Sequence, residues 1–142
     1  MSELPDTVDL DVVRSWLSGG FHDVLAMSVV DFDQDAGVLR LALPFQDRYA
    51  RLPQVGDYHG GVLSAFLDVA GTFVAALAAG GPVATMNLRI DYLRPAVKCG
   101  LVATATIVRA GRSAIVADAE VADDKGRACA IARGTWTVLK KE

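Results

Sequence analysis

The sequence predicts an α+β fold in which one long helix lies against an antiparallel sheet. Three observations carry that expectation. The run from Val62 to Gly80 is apolar apart from one charge, Asp68, and is long enough for about five helical turns. Strand-like segments flank it, two before and four after. The joins between the last strands are short turns, which suit hairpins and are too short for parallel crossovers.

The elements follow in order. Asp9 to Leu17 places Leu10, Val12, Val13, Trp16 and Leu17 at helical spacing, and Gly19-Gly20 stops it. Leu25–Phe32 and Val38–Phe45 are expected strands around Asp33-Gln34-Asp35-Ala36-Gly37, an acidic turn closed by glycine. Gln46 to Tyr58 is polar, contains Pro53 and Gly56, and is expected to be a loop. After the long helix, Thr85–Leu93 alternates, with Met86, Leu88, Ile90 and Tyr92 on one face and Thr85, Asn87, Arg89 and Asp91 on the other. Arg94-Pro95 ends it. Leu101–Arg109 and Ser113–Ala122 are joined by Ala110-Gly111-Arg112, and the turn Asp123-Asp124-Lys125-Gly126 leads into Arg127–Leu139. Residues 140–142 form a polar tail. With no repeat and no linker, residues 1–142 are expected to form a single domain, residues 1–20 being its N-terminal helix segment.

Composition narrows the function. The chain has 142 residues, 52% hydrophobic and 22% charged, with a net charge of −3. The apolar fraction excludes a disordered chain, and the absence of a basic excess argues against nucleic acid as a partner. Two cysteines, Cys99 and Cys129, and two histidines, His22 and His59, supply neither a zinc set nor a disulfide framework. No metal or cofactor is expected. Met1 to Asp6 has no basic segment leading into an apolar run, so a cytoplasmic location is expected.

By length alone the Val62–Gly80 run could span a bilayer. Its sorting around a helical wheel argues otherwise. Gly61, Ser64, Ala65, Gly71, Thr72 and Ala75 share the side of Asp68, whereas Val62, Leu63, Phe66, Phe73, Val74 and Leu77 lie opposite. A core helix under a curved sheet gives a reason for that division; a membrane span gives none and would bury Asp68 in hydrocarbon. No membrane association is expected.

A carboxylate on a face of small residues needs hydrogen bonds, a charge partner or a task; an Asp simply exposed to water is the plainer alternative. His59-Gly60-Gly61 stands where the helix must begin. Free N–H groups at a helix start, with the positive end of its dipole, can hold a developing oxyanion, and two glycines let a ligand approach closely. Equally, His59 could be a loop histidine bonded to backbone. Gly60 and Asp68 are eight residues apart, roughly 12 Å along one helix, so one carbonyl cannot touch both within a chain. Joint action requires two chains. Two antiparallel helices packed through the small face, with Ala65, Gly71 and Ala75 allowing close approach, would create two equivalent sites.

These residues resemble a known family. His59-Gly60-Gly61-Val-Leu-Ser-Ala-Phe-Leu-Asp68 is similar to the HGG-(x)6-(D/E) signature of hotdog-fold acyl-CoA thioesterases of the phenylacetic-acid-degradation type. Met86 to Ala96, Gly111-Arg112 and Gly126 to Thr137 resemble the strands that follow, so the likeness spans about residues 20 to 139. It implies a hotdog fold, a six-stranded antiparallel sheet wrapped around the helix, assembled as a dimer or a dimer of dimers. It implies hydrolysis of an acyl-CoA, aryl-acyl or medium-chain, with Asp68 as nucleophile or general base. The Gly60 N–H would polarise the carbonyl, His59 would shape the loop, Gly61 is a candidate for substrate contact, and Thr72 and Thr85 would supply hydroxyls. Many members carry Gln or Asn six residues before the His. Here Pro53 stands there, with Gln54 beside it, so Gln54 serves after a one-residue shift or that helper is missing. Asn87 is a further candidate for substrate contact. Arg94, Lys98, Arg112 and Ser113 are candidates for the phosphates of CoA, or ordinary solvated surface. Two other functions fit the same fold: a non-catalytic acyl-CoA-binding module, and a hydratase or dehydratase.

Overall fold

The computed structural model describes residues 9–140; the expectations for residues 1–8 and for the last two residues of the tail lie outside them. The chain runs α1 (Leu10–Trp16), α2 (His22–Leu25), β1 (Ser28–Asp33), β2 (Val38–Leu43), a 3-10 turn (Asp47–Tyr49), α3 (Gly60–Ala79), β3 (Val83–Tyr92), β4 (Leu101–Ala110), β5 (Ala114–Ala122) and β6 (Ala128–Val138). The strands form one six-stranded sheet in the order β1-β2-β4-β5-β6-β3. All neighbouring pairs are antiparallel. The hotdog arrangement expected from the sequence is therefore present.

α3 packs against β2, β3, β4, β5 and β6. The helix contributes Leu63, Phe66, Leu67, Phe73 and Val74, all buried, and the inner face of the sheet sets Ala103, Ala105, Ala117, Ala119, Ala130 and Ala132 among larger buried side chains such as Leu41, Leu101, Ile115, Val121 and Trp136. Each fully buried Phe or Leu there adds roughly 1.5–3 kcal/mol. By length and composition α3 could cross a membrane, yet 56% of its apolar window is buried inside the fold. It is a core helix.

Three expectations are corrected and one is refined. The strand expected from Leu25 begins only at Ser28, because His22–Leu25 is a helical turn closed by Ala26 at φ 40. The Gln46–Tyr58 segment is the expected loop, with one 3-10 turn, and it is anchored in the core. Tyr49 and Tyr58 are buried and stack at 6.2 Å, and their hydroxyls donate to the carbonyls of Val24 and Cys99. β3 does not alternate throughout. Thr85 pairs with Trp136 and Asn87 with Thr135, so Met86 bulges out, and Thr85 joins Leu88, Ile90 and Tyr92 on the helix side. Finally, Gly71 and Ala75 are covered by their own chain. A Cβ on Gly71 would sit 2.4 Å from two ring carbons of Trp136, so that stretch of α3 is not free to receive another helix.

Candidate active site

The helix start is held from three sides. His59 caps α3 with extended backbone (φ −61, ψ 134), and its Nδ1 accepts the Gly61 N–H at 2.8 Å. The His59 N–H donates to the Tyr49 carbonyl at 2.8 Å, and the Tyr58 N–H to the Ala96 carbonyl at 2.9 Å. The two buried tyrosines therefore fix the backbone on which His59 and Gly60 stand. Burial pushes both phenols above the usual tyrosine range, most strongly at Tyr58, so they stay protonated donors. Beside them burial pushes the Asp57 carboxyl up, but the Arg51 guanidinium, 2.7 Å away, and nearby backbone N–H groups together hold it below the usual range.

Gly60 is the first residue of α3, and its N–H finds no acceptor among the described residues. Its carbonyl is crowded instead: Ser64 Oγ donates to it at 2.9 Å and the Tyr92 hydroxyl at 3.2 Å, while those two hydroxyls lie 2.6 Å apart. The Tyr92 ring rests against the Gly60 Cα; a Cβ there would lie 3.4 Å from it. The geometry leaves one donor facing outward at the positive end of a long helix.

Two turns along α3 lies the carboxylate. Asp68 is half-buried, and its Oδ1 accepts the Thr85 hydroxyl at 2.8 Å. Thr72 Oγ1 is 3.5 Å from Thr85 Oγ1 and accepts the Trp136 indole N–H at 2.8 Å. Asp68, Thr72 and Thr85 thus lie together, and the Met86 bulge is what turns Thr85 inward, off the face on which strict alternation places it. Gly60, His59 and Gly61 form a second group at the helix start. Eight residues of helix, roughly 12 Å, separate the two groups within the chain.

The remaining candidates lie elsewhere. Asn87 is exposed and paired with Thr135, on the sheet face turned away from α3. Gln54 is exposed in the turn between Arg51 and Val55, where its side chain has no hydrogen-bond partner among the described residues. Arg94 and Lys98 are exposed in the segment that follows β3. The Lys98 N–H donates to the Gly56 carbonyl at 3.0 Å, and its stem covers Gly56 so closely that a Cβ there would be 2.5 Å away. Arg112 and Ser113 sit in the β4–β5 turn at the opposite end of β3, where the Ser113 carbonyl accepts the Val138 N–H and Val138 pairs with Val83. Ser64, Tyr92 and Trp136 were not singled out as site residues. The one available signal was Trp136 itself, an indole two residues after Gly134, since a buried indole N–H requires a partner.

A separate groove of about 750 Å³ crosses the outer sheet face among Arg89, Asp91, Asp118 and Arg133. There Arg133 grips both oxygens of Asp118, at 2.6 and 2.8 Å, and holds its carboxyl below the usual range. These charges answer one another and lie on the face opposite Asp68.

Residues 55–130 match the thioesterase superfamily model. The chain is 32% identical over 134 residues to a Halobacterium salinarum protein named "Putative esterase", with 87% of each covered. Among solved structures it resembles a phenylacetic acid degradation-related protein of Ralstonia eutropha JMP134, with TM-score 0.74, 30% identity, and 82% of this chain and 87% of that one covered. It also overlays a Haemophilus influenzae thioesterase with TM-score 0.84, covering 94% and 92% of the two chains; at 22% identity that likeness speaks for the fold alone.

Proposed function

Since the chain belongs to the thioesterase superfamily, we propose that it hydrolyses an acyl-CoA thioester to the free acid and CoA at a site shared by two protomers. The observation that carries this reading is the Asp68 carboxylate, with Oδ1 engaged by Thr85 and Oδ2 without a hydrogen-bond partner among the described residues. A carboxylate with one oxygen fixed and one uncommitted can act on water or on a carbonyl carbon.

Asp68 acting as base takes a proton from water, and the hydroxide adds to the thioester carbon. The oxyanion is met by the Gly60 N–H and the α3 dipole. Collapse breaks the C–S bond, and the CoA thiolate takes the proton from Asp68. If Asp68 acts as nucleophile, its oxygen adds instead, the thiolate leaves, and water then cleaves the mixed anhydride. Label found in Asp68 after a single turnover in ¹⁸O-water identifies the anhydride route, with water adding to the aspartyl carbon.

The two groups on α3 require a second chain, and β3 provides the means. It is an edge strand of ten residues, Val83–Tyr92, with Met86 63% exposed and Tyr92 53% exposed. An edge of this length offers unpaired backbone groups to a copy of itself. Antiparallel pairing of two β3 strands centred on Leu88 and Arg89 sets Thr85 of one protomer beside Tyr92 of its partner. Asp68 of the first then faces Gly60 of the second. The same pairing brings Arg112 and Ser113 of one chain toward Arg94 and Lys98 of the other, the four candidates for phosphate contact.

The test is turnover of a panel of acetyl-, hexanoyl-, phenylacetyl- and hydroxybenzoyl-CoA, read as free thiol. Asp68→Asn is expected to lower the best rate by on the order of 10²-fold or more, the scale of losing a positioned acid–base or nucleophilic group. A rate within a few-fold of wild type overturns the reading.

A further inference from the structure

Trp136 is fully buried on β6, and its ring fills a slot made by two glycines. A Cβ on Gly71 of α3 would lie 2.4 Å from the ring, and a Cβ on Gly134 of β6 would lie 2.5 Å from it. The slot fixes the indole in one orientation, with Nε1 aimed at Thr72 Oγ1, 2.8 Å away. An indole N–H donates and cannot accept, so Thr72 must accept there, and its own proton is directed elsewhere. Ser64, one turn before Asp68, donates back to the carbonyl four residues earlier; the hydrogen bonds of Thr72 run to Trp136 and Thr85 instead. Thr85 in turn donates to Asp68 Oδ1.

We propose that Trp136 is a positioning residue for Asp68, acting through an ordered donor chain from Trp136 to Thr72 to Thr85 to the carboxylate. Each hydroxyl in the chain accepts from the group behind it and donates to the group ahead. Polarised in that sense, the chain holds Asp68 by Oδ1 and leaves Oδ2 for the reacting water or carbonyl. The longest link, 3.5 Å between the two threonines, is the one the indole controls, because it sets where the Thr72 hydroxyl points. This inference rests on the reading of Asp68 as the reacting carboxylate.

The experiment compares Trp136→Phe, Thr72→Val, Thr72→Ser and the Trp136→Phe/Thr72→Val double variant, using the CoA ester turned over fastest. Trp136→Phe and Thr72→Val are each expected to lower kcat about tenfold, the equivalent of one hydrogen bond, with KM within twofold. Thr72→Ser is expected to keep most of kcat. The double variant should be no worse than the poorer single, because both changes cut one chain. Wild-type kcat in Trp136→Phe, or losses that multiply in the double, would overturn the proposal. If Trp136→Phe does not fold, the threonine pair decides: equal rates in Thr72→Val and Thr72→Ser overturn it. An inactive Asp68→Asn alongside an unimpaired Trp136→Phe sinks this inference alone, whereas an active Asp68→Asn sinks the reading beneath it.

Discussion

Asp68 stood out in the sequence because it is the one charge in a long apolar run, and a charge placed there must be accounted for. His59-Gly60-Gly61 was legible for a similar reason, since two glycines at a helix start free the backbone for a ligand. The partners of Asp68 were harder to see. Trp136 reaches Thr72 from 64 residues away, and no local pattern encodes that distance. A residue-scale prediction concerns Asp123, whose carboxylate accepts the Arg127 N–H at 2.9 Å, the Lys125 N–H at 3.0 Å and Arg127 Nε at 2.8 Å. These bonds, the Arg127 N–H foremost, hold its carboxyl below the usual range. A group with a depressed folded pKa stabilises the fold above its unfolded pKa, about 4, and that stabilisation fades as pH falls through the folded value. Asp123→Ala should therefore melt below wild type at pH 7. The gap between the two Tm values should close on acidification below about pH 4; a gap unchanged by pH would contradict this.

At the scale of elements, periodicity located α3 and the later strands because a helix and a half-buried strand each impose their own spacing. It failed where geometry departs from the repeat. The Met86 bulge inverts the faces of β3 on its N-terminal side, and a period-2 reading has no means of placing an inserted residue. The short helix His22–Leu25 carried no periodic signal because it is a single turn. Helical spacing alone puts Gly71 on the face of small residues, whereas the β6 side chain that covers it lies 65 residues further along the chain. The packing of α3 on β6 gives a direct test. Gly71→Ala places a methyl group 2.4 Å from the Trp136 ring, so it should cost roughly 1–3 kcal/mol of stability, the usual penalty for overpacking. The loss would be read as a lower denaturant midpoint. A midpoint equal to wild type would show that the indole moves aside freely.

At the scale of the molecule, the sequence supplied the reason for two chains, because Gly60 and Asp68 are too far apart on one helix. In the proposed assembly the contact is strand against strand rather than helix against helix. Gly71 is taken by Trp136, and β3 is the long unpaired edge. The central claim is that each site draws Gly60 from one protomer and Asp68 from the other. Gly60→Pro removes the N–H at the first helical position, where proline is well tolerated, and the extended backbone of His59 suits a following proline. Asp68→Asn removes the carboxylate. Each variant alone should be nearly inactive, and the decisive measurement is thioester turnover after the two are co-expressed as mixed dimers. With shared sites, half of the dimers are mixed and half of their sites are intact, so activity should return to about a quarter of wild type. Activity no higher than that of either variant alone would contradict the account.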